Sequence, residues 1–204
     1  MLTKNILLLL LALCCLLPLH AAESATAVLD KAAAKIRSAK SLSASYTISA
    51  DGHSQSGTLT IAGDRFTIDS PQISSWYDGR TQWTYSANAG EINITEPTPE
   101  ELQQVNPFAI INSFKTNYRA SMLKAPAGEK KIRLTSTNSG SDIHSVDLTL
   151  SASTLYPTRI VLTMGNRRSV SISINSVKAG AALPVSYFRY DPAKHPGIPV
   201  VDLR

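Results

Sequence analysis

Three histidines, His53, His144 and His195, are the first candidates for acid–base or metal chemistry, and they share no short-range ligand spacing. His53 follows Asp51-Gly52 and reads as an exposed turn residue. His144 opens a strand and reads as a partly buried, hydrogen-bonded side chain, while His195 lies among Pro192, Pro196 and Pro199. No Gly-x-Ser-x-Gly elbow, phosphate loop or His-Glu-x-x-His accompanies them. Glu100-Glu101 suits the first turn of a helix better than a glycosidase pair. Asn93-Ile94-Thr95 fits a glycosylation acceptor by pattern, but its middle sits in a strand. The sequence thus carries no catalytic residue set, no metal site and no cofactor motif. What remains is the chemistry of apolar surface. The stretch Trp76-Tyr77-Asp78-Gly79-Arg80-Thr81-Gln82-Trp83-Thr84-Tyr85 holds both tryptophans and two of the seven tyrosines. Its Asp78-Gly79 is a strong hairpin signal. Its side chains face either a closed core or a cavity that holds something apolar.

The elements around this hairpin follow from the period of the apolar residues. Val28, Leu29, Ala32 and Ile36 recur at helical spacing, which predicts a helix over Ala25 to Ala39 capped by Ser24 or Thr26. From Leu42 the period drops to two, and strands are expected at Leu42 to Ile48, Gln55 to Ala62, Arg65 to Asp69, Ile73 to Tyr77, Thr81 to Tyr85 and Glu91 to Thr95. Thr98 caps an expected short helix with Pro99 in its first position, and Asn106 to Ile111 forms a second, almost wholly apolar one. Such a segment either packs over the sheet or moves as a lid. Lys124 to Lys130 is expected to be an exposed connection. Period-two strands resume at Ile132, Val146, Ile160 and Val170. Much apolar sheet and little helix to cover it predict a sheet that curls strongly.

The first 22 residues combine Lys4, an apolar run from Ile6 to Leu17 and a Pro18-Leu19-His20-Ala21-Ala22 end. That is the pattern of a secretory signal peptide cleaved near Ala21 or Ala22, leaving one domain over residues 23–204. An anchored lipoprotein, through Cys14 or Cys15, and a retained membrane anchor are the alternatives. Of the 20 Lys and Arg residues Lys4 falls in the leader, leaving 19 against 15 Asp and Glu. Both cysteines fall there too, so the exported chain is no disulfide scaffold. Its mild, dispersed positive charge does not point to nucleic acid.

Several segments together resemble the periplasmic outer-membrane lipoprotein carriers, the LolA family. They are the N-terminal helix with Leu42-Ser43-Ala44-Ser45-Tyr46, the strand opened by Gly57, and Tyr77-Asp78-Gly79-Arg80-Thr81-Gln82-Trp83-Thr84-Tyr85. Asn106-Pro107 with Phe108 to Ile111 and the ending Tyr187 to Asp202 complete the resemblance. It implies a mainly β fold with a few helices (α+β). In that fold an incomplete, strongly curved antiparallel barrel of about 10–11 strands carries a helical lid over a hydrophobic cavity. It also implies a non-enzymatic, monomeric carrier of acylated lipoproteins or lipid, loaded by an inner-membrane ATP-driven transporter and unloaded to an outer-membrane acceptor. The alternative is a periplasmic sensor or adaptor that binds protein or mislocalised lipoprotein. Expected cavity residues are Tyr46, Ile48, Leu59, Ile61, Phe66, Ile68, Trp83 and Tyr85; expected lid residues are Leu102, Phe108, Ile110 and Ile111. The chain departs from the family at Ala62-Gly63-Asp64-Arg65-Phe66. Arg-Pro is common there and its arginine is implicated in holding the lid, so that role is not assigned to Arg65.

Overall fold

A computed structural model describes residues 23–204; the expected signal peptide lies outside them. Helix α1 (Ala25–Ser38) starts where the Ser24 hydroxyl accepts the Ala27 amide hydrogen at 3.1 Å. It buries Val28, Leu29, Ala32, Ala33 and Ile36. Strands β1 (Ser41–Ala50), β2 (His53–Ala62), β3 (Arg65–Asp69), β4 (Ile73–Tyr77), β5 (Gln82–Ser86) and β6 (Glu91–Thr95) follow as one meander. Helices α2 (Pro99–Val105) and α3 (Pro107–Asn117) separate it from a second meander of β7 (Tyr118–Leu123), β8 (Glu129–Ser136), β9 (Ile143–Ser151), β10 (Pro157–Met164) and β11 (Ser169–Gly180). A tail with 3-10 turns at Val185–Phe188 and Pro192–Lys194 ends in β12 (Val200–Asp202).

All twelve strands form one sheet in the order β12-β6-β5-β4-β3-β2-β1-β11-β10-β9-β8-β7. The β1–β11 pair joins the two meanders, and the β12–β6 pair is parallel. The expected barrel is therefore corrected. The sheet is mixed and open, neither closed nor strongly curved, and its ends β7 and β12 do not pair with each other. Closure requires matched edge strands, whereas here one edge is a six-residue strand and the other a three-residue parallel addition. The apolar faces are buried by covering elements instead of by curling. Sequence periodicity missed β7 and β12, and placed the end of α3 six residues early, so it understated the available cover.

The same dipeptide makes two different turns. Asp51-Gly52 is a two-residue connection with both φ values positive (51° and 79°) and Ala50 paired to His53, the type I′ arrangement. Asp78-Gly79 instead opens a four-residue loop closed by the Tyr77–Gln82 pair. There the Asp78 carboxylate accepts the Arg80 and Thr81 amide hydrogens at 3.2 and 3.1 Å, and Gly79 takes φ 104°.

Register fixes which side chains share a face, because directly paired residues project the same way. Leu42, Ile61, Phe66 and Tyr77 form one continuous row on the face that the helices cover. Ile48, Ile172, Ile160, Leu148 and Ile132 form another across the second meander. With the apolar residues of α1 and α3 these make a single core. The opposite face carries the row Thr60, Thr67, Trp76, Trp83 and Ile94.

Candidate functional site

The inner face and its helical cover define the first candidate site. Thr98 starts α2 through a capping box: its hydroxyl accepts the Glu101 amide hydrogen at 3.3 Å, while Glu101 accepts the Thr98 amide hydrogen at 2.7 Å. These bonds hold the Glu101 carboxyl below its ordinary pKa. Asn106 ends α2 and caps α3, its side-chain oxygen accepting from the Phe108 amide at 3.1 Å. That abrupt joint turns Phe108, Ile110, Ile111 and Phe114 down onto the sheet, where the first three are at most 1% exposed. Half-buried Leu102 packs against the same core. Between this cover and strands β2–β4 lies a cleft of about 290 Å³, lined by apolar Ile61, Phe66, Tyr77, Leu102 and Phe108 with Asn106 and Asn112 at its polar margin. Tyr77 stacks on Phe66 with ring centroids 5.2 Å apart. Burial, reinforced by the Asp64 and Asp78 charges, pushes its hydroxyl pKa up, so it remains a neutral phenol.

Of the residues expected to line a cavity, Leu59, Ile61 and Phe66 are buried on this face, and Tyr46, Ile48 and Ile68 are partly buried against it. Tyr46 lies directly opposite Gly57, where a Cβ would come within 2.6 Å of its hydroxyl oxygen and 2.8 Å of the Asp69 carbonyl oxygen. Glycine there lets the tyrosine ring lie across the strand. Trp83 and Tyr85 are elsewhere. Their pairing with Trp76, Ile94 and Ile92 puts them on the outer face, so the structure does not bring them to the cleft. Tyr77, two-residue periodic with Ser75 and absent from the expected set, takes the inner position. The missed signal was the Phe66–Tyr77 register, which depends on the loop at residues 70–72.

The C-terminal tail covers the outer face at β3 and β4 and adds β12 beside β6. Phe188 is fully buried, with the Arg65 guanidinium 5.4 Å from its ring centroid. Arg65 thus faces away from the helical cover. Arg189 donates to the Asp78 carboxylate at 2.8 Å. Burial pushes the Asp78 pKa up, but the Thr81 and Arg80 amides and Arg189 outweigh it and hold the carboxyl below its ordinary value. Tyr190 and His195 stack on each other at 5.3 Å and pack against Trp76 at 5.7 and 5.5 Å. His195 is therefore part of a packing cluster. His53 is exposed as expected, but His144 is also exposed: a register shift in the β9–β10 pair turns Ile143 inward in its place. Among the described residues no group of three or more His, Cys, Asp or Glu side chains is arranged to hold a metal ion.

The family model described as outer membrane lipoprotein carrier protein LolA matches residues 18–166. The chain belongs to that family. The match to this LolA family ends before β11, so the tail falls outside it. No curated protein matches the sequence at a significant level. Among solved structures, an uncharacterised conserved protein from Thermus thermophilus shares 12% identity with a TM-score of 0.60, over 87% of this chain and 98% of that one. A LolA superfamily protein from Nitrosomonas europaea shares 15% identity over 82% and 98%, with a TM-score of 0.44. The Pseudomonas aeruginosa MucA/MucB complex shares 13% over 82% and 61%, with a TM-score of 0.45. At these identities the likeness concerns the fold, which the chain shares with the Thermus structure. The chain is a LolA-like protein of a periplasmic lipoprotein-carrier family.

Proposed function

We propose that this protein is a periplasmic carrier that shields the acyl chains of lipoproteins, or related lipids, between the inner and outer membranes. The observation that carries the proposal is the apolar cleft between α2–α3 and strands β2–β4, floored by Ile61, Phe66 and Tyr77. Each methylene withdrawn from water is worth about 0.8 kcal/mol, so a chain of ~15 methylenes represents roughly 12 kcal/mol. Exposed in water, such a chain needs an escort.

The cleft volume lies at the lower end of the ~300–1,000 Å³ typical of ligand pockets, so a long chain must displace part of the cover. Phe108, Ile110 and Ile111 fill the space that it would take. Their burial is worth roughly 1.5–3 kcal/mol each, about 5–9 kcal/mol together. This is comparable with the gain from one acyl chain. The cover is then a built-in competitor, which keeps net affinity low enough for release. Loading by an inner-membrane ATP-driven transporter and delivery to an outer-membrane acceptor complete the proposal, with the leader removed near Ala21 or Ala22.

The test is uptake and transfer by the purified mature chain. Long-chain lipid is expected by mass spectrometry and by fluorescent-lipid titration, and release of lipoprotein from transporter-containing inner-membrane vesicles is expected on adding the protein. Ile110→Asp is expected to weaken uptake. Leu102→Asp, at a half-buried site, checks the same effect where folding is less at risk. Absence of lipid in both binding assays sinks the carrier reading; binding without transfer favours a sensor or adaptor.

A further inference from the structure

The inner face changes character abruptly after Tyr77. On β5 and β6 the same face presents Gln82, Thr84, Asn93 and Thr95, paired as Gln82–Thr95 and Thr84–Asn93. These residues floor a second groove of about 690 Å³, walled by Glu96, Pro97 and Glu101 on one side and Leu203 and Arg204 on the other. Helix α2 divides the two spaces, with Leu102 lining the apolar cleft and Glu101 lining the polar groove. Beneath them the Tyr77–Gln82 pair is continuous floor. Gln82 is held in place by donating to Ser75 at 2.9 Å and Thr84 at 3.3 Å.

The groove's charges are already engaged. Arg204 makes two bonds to the Asp202 carboxylate, at 2.9 and 2.6 Å. Glu96 accepts from Arg80 at 3.1 Å, and Glu101 is tied into the cap of α2. Two carboxylates against one neutralised arginine give no attraction for phosphate or carboxylate groups. With the Gln82 amide nitrogen and the Thr84 hydroxyl engaged with each other and with Ser75, the floor offers neutral groups chiefly from Asn93 and Thr95, which suit ester and amide linkages. Leu203, 60% exposed, adds an apolar rim.

We propose that this groove is a subsite for the uncharged ester and amide linkage of a diacylglyceryl peptide whose chains occupy the neighbouring cleft. The assignment rests on the carrier reading and adds a selectivity: neutral lipopeptide over anionic phospholipid of the same chain length. Asn93 donates one amide hydrogen to Glu91 at 3.4 Å, and its second hydrogen and its oxygen would serve the ligand.

The experiment compares three probes on the full mature chain: a diacylglyceryl-cysteinyl peptide amide with its amino group acetylated, phosphatidylglycerol with the same acyl chains, and the apolar dye N-phenylnaphthylamine. The wild-type protein is expected to bind the lipopeptide about tenfold more tightly than phosphatidylglycerol, as one or two net hydrogen bonds would give. Asn93→Leu combined with Thr95→Val is expected to erase that preference and leave dye binding unchanged, while Asn93→Gln retains it. Equal or tighter binding of phosphatidylglycerol by the wild type overturns the subsite, as does a double variant that keeps the preference. Parallel loss of dye and lipopeptide binding also overturns it, by showing a packing defect. A wild-type protein that takes up neither dye nor lipid overturns the carrier reading itself, a separate outcome.

Discussion

One sheet carries two covers of different physical kind. On the inner face α1 and α3 are held by apolar burial. Lys115 to Asp30 at 2.7 Å and Arg37 to Asn112 at 3.4 Å are exposed polar ties between them, and a buried bond from Tyr118 to Gln103 at 3.2 Å ties α2 to β7. On the outer face the tail is fixed by directional contacts: the Arg189–Asp78 bond to a carboxylate whose side chain is only 10% exposed, the Arg65–Phe188 contact, and the Trp76–Tyr190–His195 cluster. Strand β12 adds main-chain bonds, Ile92 to Pro199 at 2.8 Å and Leu203 to Ile94 at 2.9 Å. Apolar contacts are non-directional and tolerate sliding and exchange; charge-assisted bonds and ring contacts specify one geometry. The inner cover rests mainly on contacts of the first kind, the outer cover on contacts of the second.

The largest test of this contrast is Phe188→Ala, which removes a fully buried ring from beneath the tail. It is expected to cost about 3–5 kcal/mol in denaturant unfolding. Both tryptophans lie on the outer face, so their fluorescence is expected to change, while lipid uptake by the surviving folded protein persists. Loss of uptake in folded protein would break the independence of the two covers. Conversely, Leu102→Asp, at a half-buried site of the inner cover, is expected to leave tryptophan fluorescence nearly unchanged.

Next in size is Asp78→Asn, expected to cost about 1.5–3 kcal/mol, the range for hydrogen bonds to a charged group. The sign of its pH dependence follows from linkage. The folded-state pKa of Asp78 is below the ordinary carboxylate value, so its contribution is complete above about pH 4 and is lost as pH falls through the lower folded value. Wild-type unfolding measured from pH 7 downward should show that loss, and Asp78→Asn should flatten it. A variant with undiminished acid sensitivity would show that the outer pin is not electrostatic. The smallest effect is expected for Lys115→Ala: with both partners substantially exposed, about 0–1 kcal/mol. A larger cost would mean that the helical cover is pinned as the tail is.

The strands from Leu42 to Thr95 and from Ile132 to Ile174 were legible because a half-buried sheet leaves a period-two record in the chain. The capped helix at Thr98 and the apolar segment after Asn106 were legible for the same local reason. Trp83 and Tyr85 were not placed correctly by that record. Alternation groups residues within one strand, but which group shares a face with Phe66 depends on loop lengths and on the pairing of neighbours. Nor could β12 be seen in three residues, or the open sheet in a list of strands, since both depend on which edges meet.

The sequence by itself determined the alternating strands, the caps and the family resemblance. Those properties are local, set by side-chain period, turn chemistry and residue type. Only the tertiary structure decided that Trp76 packs against the tail, that Tyr77 enters the cleft where Trp83 and Tyr85 were expected, and that the sheet remains open. It also placed Gln82, Thr84, Asn93 and Thr95 beside the apolar floor. Register and edge pairing join residues far apart in the chain, and their outcome is the sum of many contacts that no single stretch records.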